Sequence, residues 1–214
     1  MANNDRIINP AVPSLPLGTK EYEQRYQDQF TNVLRLYFNQ LRNALSEILS
    51  NVGGRYVAFP YGAFSSYTTQ TTTANTATLL TLSTTDFSNG VSIASSKITV
   101  DYAGVYNLQF SAQIDNSANA PHDLYIWLRQ NGADITGSTG IVGLPARKNP
   151  GDPFHTITGW NYYVSMNAGD YIQIYWSVTN ASITIPTYAA SGTPTKPSTA
   201  SVVATLSFVS ALPP

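Results

Sequence analysis

From Tyr106 to Asp115 the chain alternates without a break: Tyr106, Leu108, Phe110, Ala112 and Ile114 are apolar, and Asn107, Gln109, Ser111, Gln113 and Asp115 between them are polar. A helix would scatter these apolar side chains around its circumference. A strand sends successive residues to opposite faces, so the run demands a β-strand with one face buried. The same period returns in Leu124, Ile126 and Leu128, in Ile172, Ile174, Trp176 and Val178, and in Val202, Ala204, Leu206 and Phe208. Asn131-Gly132, Ala168-Gly169-Asp170 and the Gly/Pro-rich stretch 137–153 separate these runs and read as connections. Weaker strands are expected at 55–64, 77–82, 97–100, 154–166 and 182–187. Roughly eight to ten antiparallel strands over residues 54–214 predict a mainly β head, a two-sheet sandwich or jelly roll.

Upstream the periodicity changes. Residues 19–51 contain neither proline nor glycine, Thr19 followed by Tyr22 and Glu23 offers an imperfect N-cap, and Gly53-Gly54 supplies a stop. One long helix is predicted, a stalk over residues 19–53, of which thirty residues would reach roughly 45 Å. Leu34, Tyr37, Leu41, Ala44 and Ile48 recur at spacings of 3, 4, 3 and 4, the a/d seam of a coiled coil, and Phe38 and Leu45 widen it. Tyr22, Tyr26, Phe30 and Leu34 step by four instead, so the stripe drifts in the first turns. The seam of Phe30, Leu34, Tyr37, Leu41, Ala44 and Ile48 either packs on the chain's own β domain or is covered by identical copies. Its large aromatic side chains, beside a β domain that reads as self-contained, favour the second, while the mixed residue types leave the number of chains open.

Residues 1–18 hold Pro10, Pro13, Pro16 and Gly18 among Ile7, Ile8, Val12, Leu15 and Leu17. That composition predicts an extended anchoring arm rather than a helix, docked on a partner surface or folded back on its own chain. The opening Met1-Ala2-Asn3-Asn4-Asp5-Arg6 leads into no apolar run, so no secretory signal is expected, and no window of 18 apolar residues predicts a membrane span. Charged residues make up only 11% of the chain and the formal net charge is -1. No long-range field draws such a chain to nucleic acid or to an anionic bilayer.

Catalytic devices are missing from the sequence. There is no cysteine, and G-x-S-x-G, H-E-x-x-H, Walker and G-x-G-x-x-G patterns are absent. His122 and His155 lack the short spacing of a metal pair and read as turn or surface residues. The aspartates fall mostly at expected strand ends, where they satisfy turn backbones. No catalytic residue, metal ligand or cofactor is therefore expected. Aromatic residues remain. Tyr125 and Trp127 alternate with the buried set of their strand, as do Tyr171 and Tyr175 beside Trp176, so these rings point away from the core. Burial between subunits would use them; so would stacking on a sugar, with Trp160, Tyr162 and Tyr163 contributed by a neighbouring strand.

The run GVYNLQF at residues 104–110, preceded by KITV at 97–100, resembles the F-x-V-x-x-x-G-x-Y-x-F stretch of the C1q/TNF-like jelly roll. In the same order, LYIWLRQNG at 124–132 is similar to that family's strand ending in a Lys/Arg-x-Asn-Gly hairpin, and YVSMNAGDYIQIYW at 163–176 is similar to its L-x-L-x-x-G-D-x-V-x-L pair. The phenylalanine that usually precedes the first of these strands is not cleanly present, and the loop 135–153 is unusually rich in Gly and Pro. Residues 26–41, YQDQFTNVLRLYFNQL, resemble stalk segments of structural proteins of tailed bacteriophages. Together these resemblances imply a homotrimer on a helical stalk, a fibre, knob or capsid/neck decoration of a virion assembled in the host cytoplasm. Residues 1–18 would then contact other virion proteins. A head that binds host-surface glycan is the alternative expectation. A polysaccharide-degrading enzyme is a third, which would have to use aspartates alone because Glu21, Glu23 and Glu47 all precede the head.

Overall fold

The computed structural model describes residues 13–17, 21–49 and 59–212, the side chains of 46–49 excepted. The chain is mainly β, with one N-terminal helix and antiparallel sheets, and divides into two compact units, Met1–Ala58 and Phe59–Pro214.

In the first unit the helix α1 spans Gln24–Leu49. It starts five residues after the expected cap at Thr19, which lies outside the described residues, as does the stop at Gly53-Gly54. Tyr26, Phe30, Val33, Leu34, Tyr37, Leu41 and Ala44 are partly shielded, whereas Leu36, Phe38 and Leu45 are exposed. The Ile48 side chain falls outside the described set. Tyr26 and Phe30 stack one turn apart, with ring centroids 6.1 Å apart. Residues 13–17 are non-helical, as their prolines dictate, and fold back onto their own helix. The Tyr26 hydroxyl donates to the Pro16 carbonyl at 3.4 Å, and Ser14, Leu15 and Pro16 line a shallow groove with Gln29, Asn32 and Val33. This part of the arm takes the second of the two expected courses; residues 1–12 and 18 lie outside the described residues.

In the second unit the described strands are, in chain order, β1 Tyr61–Ser66, β2 Thr78–Leu79, β3 Thr84–Asn89, β4 Val91–Ala94, β5 Lys97–Val100, β6 Gly104–Asn116, β7 His122–Gln130, β8 Ala133–Asp134, β9 Gly140–Leu144, β10 Phe154–Thr158, β11 Asn161–Met166, β12 Tyr171–Val178, β13 Ile183–Thr184, β14 Ser191–Gly192, β15 Thr195–Lys196 and β16 Val202–Ser210. One sheet runs β10-β6-β16-β1-β3, with β11 and β13 also on β6; the other runs β4-β5-β12-β7-β8, with β2 on β12 and β9 on β7; β14 and β15 form a separate pair. All named pairings are antiparallel.

The four strongly alternating runs became β6, β7, β12 and β16, and their apolar sets make one core between the two sheets. Tyr106, Leu108, Ile114 and Leu206 from the first sheet meet Leu124, Ile126, Leu128, Ile174 and Trp176 from the second in one cluster, and each is at most 1% exposed. Burying a side chain of this size contributes roughly 1.5–3 kcal/mol, so the shared core dominates the stability of the unit.

Three expectations need correction. The stretch 137–153, read as pure connection, contains β9, which pairs with β7 from Ile126↔Gly140 to His122↔Leu144. Its glycines hid the strand because they carry no alternation signal. The run 154–166, read as one strand, is two, β10 and β11, broken at Gly159-Trp160. A Cβ on Gly159 would stand 2.0 Å from the Phe110 carbonyl oxygen and 2.9 Å from the Ser111 Cα, so only glycine lets the chain step along β6 here. Finally, β3 was not foreseen: its six residues TTDFSN are all exposed, so no period could reveal it.

G159A is expected to destabilise the protein by about 2 kcal/mol or more, because the obstruction is backbone rather than a movable side chain. The denaturant midpoint of the variant against wild type measures this, and an unchanged midpoint would contradict the geometry.

Candidate functional site

The side of the second sheet turned away from the core gathers the aromatic residues singled out from the sequence. Cross-strand register sets Tyr175 opposite Trp127 and Ser177 opposite Tyr125, and sets Tyr125 opposite Ile141, which is 66% exposed. Trp127 and Tyr175 have ring centroids 6.0 Å apart. The Arg129 guanidinium lies 4.0 Å above the Tyr175 ring, and the Lys97 ammonium 4.3 Å above that of Tyr171. Asp134, from the short β8 beyond the Asn131-Gly132 turn, accepts from the Trp127 indole N–H at 2.7 Å and from Arg129 Nε at 2.8 Å. These donors, Arg129 above all and then Trp127, hold the Asp134 carboxyl below the usual carboxylate range. The same bond raises the guanidinium of Arg129 above its ordinary value. The platform is therefore braced by its own charges: two of its tyrosine faces carry cations and its indole donor is engaged.

Trp160, Tyr162 and Tyr163 stand elsewhere. They lie at the start of β11 or immediately before it, in the first sheet, because β11 pairs with β6. Trp160 packs edge-on against Phe110 at 4.7 Å and lies so close to Gly140 that a Cβ there would come within 2.6 Å of its ring. Gly140 belongs to the second sheet, so Trp160 spans the margin of the core. Tyr162 is also packed against the core, whereas Tyr163 is 59% exposed.

Within the second unit the Asn131-Gly132 and Ala168-Gly169-Asp170 turns meet. Asp170 accepts from the Asn167 backbone N–H at 2.7 Å, the Asn131 side-chain amide at 2.8 Å and the Gln130 amide at 3.4 Å. Asn131 sits in the left-handed region at φ 50°; its side-chain oxygen accepts from the Tyr171 N–H at 3.0 Å, and its own N–H donates to the Tyr171 carbonyl at 3.1 Å. The backbone N–H of Asn167, followed by the Asn131 amide, holds the Asp170 carboxyl below its ordinary range.

A second polar cluster was not legible in the sequence. His155 and Asp115 face each other across β10 and β6, with His155 Nδ1 2.6 Å from the carboxylate. The Tyr188 hydroxyl donates to the other oxygen of Asp115 at 2.5 Å and lies 3.0 Å from the same His155 nitrogen. Burial, then the hydrogen bond to Asp115, pushes the Tyr188 phenol well above its ordinary value. The three side chains join residues 40 and 73 positions apart, so no local motif announces them. They pin the segment carrying β14 and β15 to the first sheet. Among the described residues, no group of three or more His, Cys, Asp or Glu side chains could hold a metal ion.

The outward side of the first sheet is different in kind. Cross-strand register lays Asn107, Gln109 and Ser111 of β6 beside Ser207, Thr205 and Val203 of β16 on one edge, and beside Tyr163 and Asn161 of β11 on the other. The middle of this face carries amides, hydroxyls and the 43% exposed Val203, and its carboxylates lie towards the borders, Asp115 at the end of β6 and Asp86 on β3, bonded to Ser65. Exposed apolar groups stand towards its margins: Ile157 at 63% and Tyr163 at 59% on one side, Tyr61 at 42% and Phe87 at 61% on the other, the last two in edge contact at 6.0 Å. No known protein family and no curated protein matches this sequence.

Two outcomes follow from the polar clusters. Asp170 has a depressed folded-state value, so its contribution to stability is present above the unfolded carboxyl value of roughly 3.9 and is lost as pH falls through the folded one. D170N is expected to lower the thermal midpoint at neutral pH, and the gap from wild type should narrow as the pH falls below the ordinary carboxyl range; a gap that stays constant with pH would refute this role. Y188F is expected to cost about 1–3 kcal/mol, since it removes a donor from the nearly buried Asp115. Urea titration of the variant reads that loss directly.

Proposed function

We propose that the protein is a homotrimeric structural component of a bacteriophage virion: a helical coiled-coil stalk carrying a jelly-roll head of the C1q/TNF-like kind, anchored in the particle through its N-terminal arm and without catalytic activity. The observation that carries this reading is the outward face of the first sheet. Charged side chains ordinarily line such a face in a monomer, as they keep sheets soluble and apart. Here its middle is neutral and hydrogen-bonding, and its margins carry exposed apolar residues of two different sets, Ile157 with Tyr163 and Tyr61 with Phe87. A ring of identical subunits needs two different patches on each copy, one to meet the other on the next. The apolar stripe of α1 supports the same reading, since it offers a second surface for identical copies.

The aromatic platform around Trp127 and Tyr175 supports host-glycan binding less well. Sugar stacking uses bare ring faces, and Arg129 and Lys97 already cover those of Tyr175 and Tyr171. Tyr125 beside Ile141 is the part of the platform that a receptor glycan would use.

Sedimentation equilibrium of the full chain is expected to give the mass of three copies at micromolar concentration. Placing charge on the neutral face, with V203R and Y163R together, should weaken association by roughly tenfold or more while far-UV circular dichroism stays unchanged. The polypeptide is also expected to band with purified virus particles in a density gradient. A one-chain mass for wild type would end the trimer reading, and absence from particles would end the virion one.

A further inference from the structure

The helix repeats itself with a period of eleven. Residues 26–36, YQDQFTNVLRL, align with residues 37–47, YFNQLRNALSE. Tyr26 and Tyr37, Gln29 and Gln40, Asn32 and Asn43, and Leu34 and Leu45 are identical pairs; Phe30 and Leu41, Val33 and Ala44, and Asp28 and Asn39 are alike in kind. Ile48 continues the position of Tyr26 and Tyr37. Six of the seven partly shielded apolar residues, Tyr26, Phe30, Val33, Tyr37, Leu41 and Ala44, follow this spacing; Leu34 is shielded as well, whereas its counterpart Leu45 is 46% exposed. A heptad continued upstream from Leu34 and Phe30 would place Gln27 in the seam, yet Gln27 is exposed and Tyr26 is the shielded neighbour. The drift in the first turns is thus the first copy of a longer repeat. Eleven residues in three turns make about 3.67 per turn, more than the 3.6 of a straight helix, whereas a heptad has about 3.5. A bundle that keeps an eleven-residue stripe on its axis winds gently to the right rather than to the left.

We infer that the stripe is covered by identical copies of this helix in a parallel, in-register bundle wound right-handed on the eleven-residue repeat. This rests on the homotrimer reading and adds to it the orientation, register and hand of the stalk. Two features select a second copy as occupant. The first is charge: at about 100° per residue Asp28, Arg35 and Arg42 fall on the side opposite the stripe and Arg25 about 120° from it, while Gln29, Gln40, Leu34, Leu45 and, near the C-terminal end, Glu47 flank it. Along the stripe itself identical copies therefore meet in register without like-charge repulsion, and a charged partner finds nothing on it to pair with. The second is the width of the apolar arc. From Ala44, about 20° to one side of Tyr37, through Leu41 and Leu45 to Phe38, about 100° to the other, the second repeat is apolar over roughly 120°, wider than the narrow seam two facing helices need, and Leu36 stands about 100° round on the first side, beyond Gln40. Leu36 is 60% exposed and Phe38 58%. In a ring of three or more parallel copies, the Leu36 flank of one helix meets the Phe38 flank of the next at nearly the same height.

The chain has no cysteine, so single-cysteine variants of the full-length protein report this geometry without background. Under mild oxidation V33C and A44C, equivalent in the eleven-residue repeat, should both cross-link between copies at similar rates, and roughly tenfold faster than Q27C, because a disulfide forms only where Cβ atoms come within about 4.5 Å. Antiparallel helices cross-link to themselves only around one centre, so fast reaction at both Val33 and Ala44 also establishes the parallel orientation. Fast Q27C and L34C with slow V33C, in a protein of three-chain mass, would overturn the eleven-residue bundle and leave the trimer standing. No cross-linking at any position together with a one-chain mass would sink both. Should a stripe variant fail to fold, Q29C and Q40C leave the stripe intact. They react at matching rates under the eleven-residue repeat, whereas a heptad puts Gln40 beside the seam and Gln29 away from it, making Q40C the faster.

Discussion

Along β6, thirteen residues offer hydrogen-bonding groups on two edges, and no single neighbour is long enough to satisfy either. One edge is met by β11 over residues 104–109 and then by β10 over residues 112–116. The other is met by β16 up to Ala112 and then by β13 at Asp115 and Asn116. Unpaired backbone groups in a buried strand cost about as much as lost hydrogen bonds, so this ladder forces four segments from distant parts of the chain to converge. The handover from β10 to β11 needs the glycine at 159, and the handover from β16 to β13 draws in the segment whose Tyr188 reaches Asp115. Two features that look separate, a backbone step and a polar cluster, are thus consequences of one overlong strand.

Charge is scarce, at 11% of residues, and part of it is spent on local bracing. Arg129 and Asp134 hold the Trp127 indole; Asp170 ties two turns; Asp115 joins a histidine and a tyrosine. In each case the charged group links two backbone segments rather than facing water alone, which is where a charge-assisted hydrogen bond contributes most. The same allocation leaves the middle of the first sheet's outward face to amides and hydroxyls. Such a face has no like-charge barrier against a second copy of itself, and hydrogen-bonding groups can exchange water for one another at little net cost.

How much of this was legible depended on whether a segment's role was written in its own residues. Strands β6, β7, β12 and β16 have one face in the core, so burial imposed a period of two and the sequence displayed it. Strands β3 and β9 are held by their neighbours' backbones, and Thr84, Gly140 and Gly143 carry no apolar alternation to display. The outward placement of Tyr125, Trp127, Tyr171 and Tyr175 followed from parity alone. Their bracing by Arg129, Lys97 and Asp134 did not, because it depends on cross-strand register. Trp160 illustrates the limit: its proximity in sequence to Tyr162 and Tyr163 suggested one aromatic surface, whereas the break at Gly159 leaves it against Phe110 and Gly140 at the core margin.

Tyr26 connects the arm to α1 in a way neither segment explains alone. Its ring belongs to the helix stripe and stacks on Phe30, so any bundle of copies takes the ring towards the axis and away from water. A phenol buried without a partner costs about 1–3 kcal/mol. The Pro16 carbonyl, which no proline N–H accompanies, accepts from that hydroxyl, and Pro16 lies along one side of the stripe with Gln29, Asn32 and the stripe residue Val33. Folding the arm back therefore satisfies the one polar atom of the Tyr26 side chain. Tyr37 occupies the equivalent place one repeat later, where the described arm residues do not reach. The described arm residues therefore brace the first eleven-residue repeat of α1 specifically, through a single side chain.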